Sequence, residues 1–123
     1  MIPVMQNQFG DKGNCFSACL ASLFELSIDD VPNFHDISND PVEWWQSVRD
    51  WLKTRGFGVM SIQLHNPEIL KDFEGYFIVC GESSRGLQHA TIYKNGEMYH
   101  DPHPANMGIQ SIDSVDLIYP LFI

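Results

Sequence analysis

Hydrophobic positions recur at helical spacing in two stretches of the first half of the chain. The first stretch follows Asn14, a residue type that caps helix N-termini, and its apolar stripe consists of Phe16, Cys19, Leu20, Leu23 and Phe24. The second follows Asp40 and Pro41, which suit the cap and the first position of a helix, and its stripe consists of Val42, Trp45, Val48 and Leu52. The pattern predicts two helices, the first with Cys15 in its opening turn and the second ending at Gly56.

The second half of the chain carries apolar patterns that are typical of strands, over residues 57–64, 75–81, 88–94, 97–100 and 115–119. Asn95-Gly96, between the third and fourth of these, is the strongest short hairpin signal in the chain. Because helices precede a mostly antiparallel sheet, the predicted fold class is α+β, with the first helix packed on the sheet. The length of 123 residues predicts a single domain over 1–123.

The charge balance narrows the choice of partners. The net charge is −9, from 16 acidic and 7 basic residues, and the basic residues form no cluster. An acidic surface repels phosphates, so we expect neither nucleic acid nor an anionic membrane as a partner. No apolar run approaches the roughly 20 residues of a membrane span, and the chain opens without a signal-peptide pattern, so the expected compartment is the cytoplasm. The three cysteines, an odd number, are expected to be free thiols.

Cys15 is the first candidate for chemistry, because the predicted helix begins there after a polar, glycine-containing turn. A helix N-terminus carries about half a positive charge and has unpaired N–H groups, which favour a thiolate and can bind an oxyanion. A thiol nucleophile also needs a base, and without one Cys15 is equally well interpreted as a small core residue.

His89 and Asp101 are the candidates for the base and for the residue that orients it. His89 opens a strand whose next residues look buried, and an imidazole at that rim can face a helix N-terminus. With Asn95-Gly96 as the turn, the hairpin register pairs Ala90 with Asp101. This register predicts Asp101 beside His89 and so turns a lone thiol into a candidate triad.

Three segments follow one another along the chain: Gly13-Asn14-Cys15-Phe16-Ser17-Ala18-Cys19-Leu20-Ala21-Ser22-Leu23, His89-Ala90-Thr91-Ile92-Tyr93 and His100-Asp101-Pro102-His103-Pro104. In this order they resemble the papain-like cysteine peptidase superfamily, most of all its small bacterial and phage members near the NlpC/P60 and C39-like groups. The resemblance covers most of the chain and implies a papain-like fold, with Cys15 as nucleophile, His89 as base and Asp101 as orienting residue. It also implies an oxyanion-hole glutamine before the cysteine, for which Gln6 is preferred and Gln8 is the alternative.

The resemblance implies a cysteine-dependent hydrolase or acyl-transferase that acts on an amide, peptide or thioester bond of a peptide-like or small amide substrate. No cofactor is implied. The alternative is a catalytically silent papain-like domain that binds a peptide or a protein. The chain is shorter than papain, has Phe16 where papain has an indole, and shows no secretion signal, so the substrate is left open.

Other polar and aromatic residues have secondary predicted roles. Contacts with substrate are expected from Gln8, Asn14, Trp44, Arg85 and His103. Trp44 and Trp45 are adjacent on a helix and point in different directions, so one of them is expected in the core. A zinc site is conceivable from Cys15, Cys19, His100 and His103, but their spacing is not usual for zinc, and no metal is expected. His35 and His65 are expected at the surface.

Overall fold

The computed structural model describes residues 1–122, in which two helices lie on one face of a five-stranded sheet. The α-helices are α1 (Cys15–Phe24) and α2 (Pro41–Lys53), and the strands are β1 (Phe57–Gln63), β2 (Tyr76–Glu82), β3 (Gln88–Lys94), β4 (Glu97–His100) and β5 (Ser111–Pro120). Short 3-10 helices lie in the connections, at Gly10–Lys12, Ile28–Asp30, Phe34–Asp36 and Pro67–Asp72. The predicted α+β class is confirmed. Within residues 1–122 no helix is both long enough and apolar enough to cross a membrane.

The last strand departs most from its prediction. The strand order is β1-β5-β2-β3-β4, and every neighbouring pair is antiparallel. β5 therefore lies between β1 and β2 and is hydrogen-bonded to both. The predicted strand over 115–119 is too short, since β5 begins at Ser111. Residues 111–114 are mostly polar, but their backbone pairs with the end of β2, where the register shifts between Cys80 and Gly81.

Polar side chains mark the start of the two helices in different ways. Asp40 accepts a hydrogen bond from the Glu43 N–H at 3.1 Å, as its cap position predicts. Asn14 occupies the cap position of α1 but makes no capping bond, so that prediction is wrong for its side chain. Its Oδ1 instead accepts from the N–H groups of Asn7 and Gln8, both at 3.0 Å. Asn14 thereby ties the segment before α1 to the start of the helix.

Each face of the sheet has its own hydrophobic core. On the face that the helices cover, the large buried side chains are Leu20, Phe34, Val48, Leu52, Ile78 and Ile92. On the opposite face a smaller cluster consists of Leu70, Phe77, Val79 and Val115. Burial of apolar side chains is the main stabilising contribution to folding, so the first core holds α1 firmly against β3.

The β3–β4 hairpin contains a bulge that its turn sequence does not predict. Both turn residues have positive φ, 52° and 89°, as a type I′ turn requires. Tyr93 pairs with Met98, but the next pair is Ile92 with His100, so Tyr99 is an extra residue. The predicted unbroken register is therefore wrong by one residue beyond the bulge.

The bulge shifts Asp101 by one residue relative to β3. Continued by one residue, the observed register places Asp101 opposite Thr91, not opposite Ala90 as predicted. Asp101 follows the last residue of β4, and its Oδ1 lies 2.6 Å from Nε2 of His89, two residues before Thr91. The two side chains are therefore neighbours, although the register from which this was predicted is wrong.

Candidate active site

Cys15 is half-buried at the first position of α1, where the backbone N–H groups of the helix have no partner within the helix. The chain turns tightly just before it: a Cβ at Gly13 would lie 3.1 Å from the Gly10 carbonyl oxygen and 3.3 Å from that of Gln8. Glycine relieves this close approach, since it has no Cβ. The turn and the bonds of Asn14 together fix the position of the thiol.

The His89 side chain links Cys15 to Asp101. Its Nε2 lies 2.6 Å from Asp101 Oδ1. The ring and the Cys15 side chain line the same two cavities and lie close enough together for Cys15 to raise the pKa of His89. Because Nε2 is engaged by the carboxylate, Nδ1 is the nitrogen available to the thiol. His89 is only 4% exposed, so packing holds the ring. This is the nucleophile–base–orienter arrangement that thiol catalysis requires.

Three donors hold the Asp101 carboxylate. Oδ1 accepts from the His103 N–H at 2.9 Å in addition to its contact with His89, and Oδ2 accepts from the Gly108 N–H at 2.8 Å. Burial raises the pKa of Asp101, but the hydrogen bonds from His89 and the two backbone groups outweigh it and lower the pKa to about 2. The carboxylate is therefore ionised at neutral pH, and the loop after β4 sets its position.

The charge state of His89 follows from its two partners. Burial lowers the pKa of His89, but the hydrogen bonds with Asp101 and Cys15, together with their electrostatic contributions, outweigh it and raise the pKa to about 9. The imidazole therefore carries a positive charge at neutral pH, directly beside the Cys15 side chain.

The structure distinguishes the two candidate glutamines. Gln6 is 7% exposed and lines a cavity together with Cys15 and His89. Its Nε2 donates to the Gln8 carbonyl at 3.0 Å, which leaves the second N–H of the amide for a ligand. Gln8 is exposed, and its side chain accepts a hydrogen bond from Asn33 instead. The fold brings Gln6, not Gln8, to the thiol.

Two cavities meet at Cys15 and His89 and form one groove. The first has a volume of about 340 Å³, and its lining includes Arg85 and His103. The second has a volume of about 320 Å³, and its lining includes Trp44. The residues common to both are Cys15, His35, Gln88 and His89. A ligand that fills both cavities would therefore cross the thiol and the imidazole at its middle.

The predicted substrate contacts divide into two groups. Trp44, Arg85 and His103 line the groove. Gln8 and Asn14 do not, since their side chains are engaged in holding the segment before α1. Trp45 is half-buried like Trp44, and both line the same cavity and pack against the core, so the expected division into one core and one surface tryptophan is not seen. Their rings meet edge to face at 4.9 Å between centroids and form one wall.

Sequence reasoning missed several residues of the groove, and three of them have side chains with chemical functions. His35 is half-buried with an exposed hydrogen bond to Asn39, which fits its predicted surface position, but its place in both cavities was not predicted. The 3-10 turn Phe34–Asp36 brings it there. Cys80 and Asp116 line the second cavity from the adjacent strands β2 and β5. The available signal was Asp116 itself, a charged residue inside the apolar run 115–119 of a central strand.

The metal-ligating residue types are not gathered into a site. Within residues 1–122, no group of three or more His, Cys, Asp or Glu side chains is arranged to hold a metal ion. His100, one of the four considered for zinc, has its Nε2 2.8 Å from the Val4 carbonyl oxygen. Another, Cys19, is fully buried in the core.

The fold and the site together define an α+β domain in which a thiol, an imidazole and a carboxylate meet at the centre of a surface groove. Comparisons with protein-family models, with curated proteins and with solved structures find no match to this chain.

Proposed function

We propose that this protein is a papain-like cysteine hydrolase or acyl-transferase that cleaves an amide, peptide or thioester bond. The observation that carries the proposal is the convergence of three side chains at one groove: Cys15 and His89 line both of its cavities, and His89 is hydrogen-bonded to Asp101. The order along the chain supports the papain-like assignment. The cysteine opens a helix, the histidine lies near the start of a strand, and the aspartate follows the next strand.

The first step is formation of a thiolate–imidazolium pair. His89 takes the Cys15 proton on Nδ1, while its Nε2–H stays hydrogen-bonded to Asp101. The pKa of His89, about 9, supports this step because it favours the protonated ring that the pair contains. Asp101 stays ionised and keeps the ring oriented.

The thiolate then attacks the carbonyl carbon of the substrate. A C–S bond forms, and the carbonyl oxygen takes up the negative charge. The Cys15 N–H at the helix start and the second Nε2–H of Gln6 are the donors available to that oxyanion. His89 next gives its proton to the leaving amine or thiolate as the bond to it breaks, which leaves a thioester on Cys15.

Release of the product repeats the sequence with a second nucleophile. Water, or an amine in the case of acyl transfer, loses its proton to His89 and attacks the thioester carbon. The C–S bond breaks, the carboxylic acid or new amide leaves, and the thiolate–imidazolium pair is restored. Hydrolysis is the default outcome, since water needs no binding site of its own.

The reactivity of Cys15 tests the proposal. An ordinary thiol has a pKa of about 8.5 and is almost wholly protonated at pH 6. We expect iodoacetamide at about pH 6 to alkylate Cys15 far faster than it alkylates glutathione, whose thiol is ordinary. Cys19 and Cys80 are internal controls, because burial raises the pKa of both thiols well above the usual range. Peptide mass spectrometry assigns the label, and equally slow labelling of all three cysteines would contradict the proposal.

Turnover separates the enzyme from a non-catalytic binding domain. A panel of fluorogenic peptide amides and aryl thioesters is expected to include a substrate that the wild type cleaves and Cys15→Ala does not. Cys15→Ser is the matched control, since it keeps the size of the side chain and replaces the thiol by a weaker nucleophile. Rapid labelling of Cys15 without turnover of any panel member would favour the binding domain.

A further inference from the structure

Arg85 is the only lysine or arginine among residues 1–122 that lines the groove. It belongs to the first cavity, of about 340 Å³, whose lining also includes Cys15, His89 and His103. The protein as a whole has a net charge of −9, so a surplus of basic residues does not account for a cation in this cavity. The position of Arg85 therefore needs a local explanation.

The loop between β2 and β3 fixes the backbone of Arg85. Ser83 is 1% exposed, and both its N–H, at 2.9 Å, and its Oγ, at 3.0 Å, donate to the Leu87 carbonyl. The Gly86 N–H donates to the Ser83 carbonyl at 3.0 Å, and the Arg85 N–H donates to Ser83 Oγ at 3.3 Å. These hydrogen bonds close a short loop on one buried serine. The backbone at Arg85 is therefore ordered before a ligand binds, which lowers the entropic cost of binding.

The Arg85 side chain has no partner within the part of the chain that the structure describes. It is exposed and makes neither an ion pair nor a hydrogen bond with residues 1–122. The other two arginines are engaged, since Arg49 donates to Gln46 Oε1 at 3.2 Å and Arg55 lies over the Trp51 ring at 5.0 Å. A guanidinium has five N–H donors in a planar fork that matches the two oxygens of a carboxylate. In Arg85 this fork is available to a ligand.

The charges of the first cavity leave Arg85 unbalanced. The positive charge of His89 is balanced by Asp101, whose Oδ1 lies 2.6 Å from its Nε2. Asp11 is the one acidic residue in the lining. Burial and then the charges of Arg85 and His89 lower the pKa of His103, and Asp101 opposes them. Asp11 makes no contribution to that pKa, so it lies further from His103 than Arg85 does.

His103 adds a hydrogen-bond donor to the cavity without adding a charge. Its pKa lies below the ordinary value, so the ring is neutral at neutral pH. Nδ1 accepts from the Ala105 N–H at 3.0 Å, so the proton of the neutral ring is on Nε2. Phe9 packs edge to face on this ring at 5.3 Å between centroids and helps to hold it. The neighbour of Arg85 is thus a donor and not a competing anion.

One unbalanced cation beside a neutral donor matches an anion of one charge with two acceptor oxygens, which is a carboxylate. A phosphate group carries about 1.5 to 2 negative charges at neutral pH and would leave part of its charge unbalanced. An ammonium group would be repelled by Arg85. The chemistry of the cavity therefore selects a carboxylate among these common charged groups.

We infer that Arg85 is a specificity residue that binds a carboxylate of the substrate in the first cavity. Because Cys15 and His89 line the same cavity, the carboxylate lies close to the scissile bond. The inference rests on the proposed function in that the carboxylate is part of the substrate that Cys15 attacks. The free C-terminus of a peptide and an acidic side chain both supply this group, and the experiments below distinguish them.

Binding is tested without catalysis. The full chain with Cys15→Ala, which cannot cleave a peptide, is labelled with ¹⁵N, and the Nε–H resonances of its three arginines are followed by NMR. Arg85→Gln assigns the Arg85 resonance by its disappearance, and the resonances of Arg49 and Arg55 are internal controls. The ligands form two matched pairs. One is N-acetyl-dialanine as the free acid or as the terminal amide, and the other is N-acetyl-alanyl-glutamate or N-acetyl-alanyl-glutamine, both as terminal amides.

We expect at least one acid to move the Arg85 resonance and to bind about tenfold more tightly than its matched amide, the ratio for one charge-assisted hydrogen bond. The pair that shows this preference identifies the carboxylate as a C-terminus or as a side chain. The preference should disappear in Arg85→Gln, in which binding is followed through the backbone N–H of Gly86. It should stay in Arg49→Gln, the matched control, which removes the same charge from an exposed site outside the groove.

The other titration results would each overturn the inference. Equal binding of acids and amides, or no shift of the Arg85 resonance with either acid, would remove the carboxylate. An equal loss of the preference in Arg49→Gln would show an effect of net charge alone. Inorganic phosphate is titrated as well, and tighter binding of phosphate than of either acid would make the cavity a phosphate site.

A second measurement links Arg85 to the reaction. N-iodoacetylglycine and N-iodoacetylglycinamide alkylate a thiol by the same step, in which a C–S bond forms and iodide leaves, and they differ only in the carboxylate. The ratio of their rates, acid over amide, is measured for Cys15 and for glutathione. We expect the ratio for Cys15 to exceed that for glutathione by about 5- to 10-fold in the wild type and in Arg49→Gln. In Arg85→Gln the two ratios should be equal.

This measurement separates the two proposals. If neither compound labels Cys15 faster than it labels glutathione, the proposed function fails, while the titration still decides whether Arg85 binds a carboxylate. If both compounds label Cys15 rapidly but in the ratio found for glutathione, the inference about Arg85 fails and the proposed function stands.

Discussion

The two cysteines of α1 are one helical turn apart and have opposite environments. Cys15 is half-buried at the helix start and lines both cavities together with His89. Cys19 is 0% exposed within the core that α1 shares with β3. Burial, and then an electrostatic contribution from Cys15, raise the pKa of Cys19 well above its usual range. The same side chain thus lies in a groove at one position of the helix and in the core one turn later.

The difference between the two thiols depends on a few neighbours, not on the helix alone. Cys15 has the unpaired N–H groups of the first turn, the His89 ring and the Gln6 amide close to it. Cys19 has none of these and is surrounded by apolar side chains. Removing the neighbours of Cys15 one at a time should therefore lower its rate of alkylation or its turnover step by step toward those of Cys19.

Removal of the base has the largest expected effect. In His89→Ala the thiol loses its proton acceptor, so turnover is expected to fall by about 10²- to 10⁴-fold. Labelling of Cys15 by iodoacetamide at about pH 6 should fall to the rate of an ordinary thiol. Cys19 should stay unlabelled. His65→Ala is the matched control, because His65 is exposed and lies outside the groove. Rapid labelling of Cys15 in His89→Ala would mean that the helix start alone makes the thiol reactive.

Gln6→Ala should separate reactivity from catalysis. Loss of an oxyanion donor typically lowers kcat by about 10²- to 10³-fold. Alkylation by iodoacetamide forms no oxyanion, so the labelling rate of Cys15 is expected to stay unchanged. Gln8→Ala is the control and should keep full turnover, since its side chain is turned toward Asn33. The opposite result, with turnover lost in Gln8→Ala and kept in Gln6→Ala, would assign the oxyanion donor to Gln8.

Asp101→Asn should change the pH dependence more than the rate at neutral pH. Asp101 raises the pKa of His89, which is about 9, so the alkaline limb of kcat/KM is expected near that pH in the wild type. Removal of the negative charge should move this limb down by about 1 pH unit or more. The measurement is kcat/KM from about pH 5 to 10 with one fluorogenic substrate. An unmoved alkaline limb would show that another group, not His89, titrates there.

The hydrogen-bonded side chains of Asp101 and His89 make the free energy of unfolding depend on pH. The pKa of Asp101, about 2, lies below the ordinary value of 3.8, so its contribution is present above about pH 4 and is lost as the pH falls toward 2. The pKa of His89, about 9, lies above the ordinary 6.5, so its contribution is complete below about pH 6.5 and is lost as the pH rises through 9. Urea unfolding should show the wild type more stable than Asp101→Asn by about 2 kcal/mol near pH 5.5 and by less near pH 3 and 9.5. A difference that does not vary with pH would contradict this assignment.

The predictable part of this fold was the part with local causes. The helix over Cys15–Phe24 follows from its apolar stripe, and the helix that begins at Pro41 follows from the Asp40 cap. The Asn95-Gly96 turn joins β3 and β4 as its sequence predicts. Each of these signals lies within a few residues of the structure that it specifies, which is why periodicity and turn chemistry were enough.

The details that complete the site have non-local causes. The bulge at Tyr99 shifts the register of Asp101 by one residue, and the carboxylate is held by N–H groups of the loop that follows, which no turn rule contains. Asp116 lines the second cavity of the groove because β5 lies between β1 and β2. Strand order depends on packing across the whole chain, so a charged residue in the last strand could not be connected with Cys15 from the sequence.

Cys19→Ala is the smallest of the expected effects and completes the comparison of the two thiols. It removes one buried sulfur from the core and should lower the free energy of unfolding by about 1 kcal/mol. Turnover and the labelling rate of Cys15 are expected to stay unchanged, since Cys19 lines neither cavity. Cys15→Ala should give the reverse result, with turnover abolished and stability nearly kept, because Cys15 is half-buried and at the helix end. A large loss of turnover in Cys19→Ala, without a matching loss of stability, would show that the chemistry is not confined to the first turn of α1.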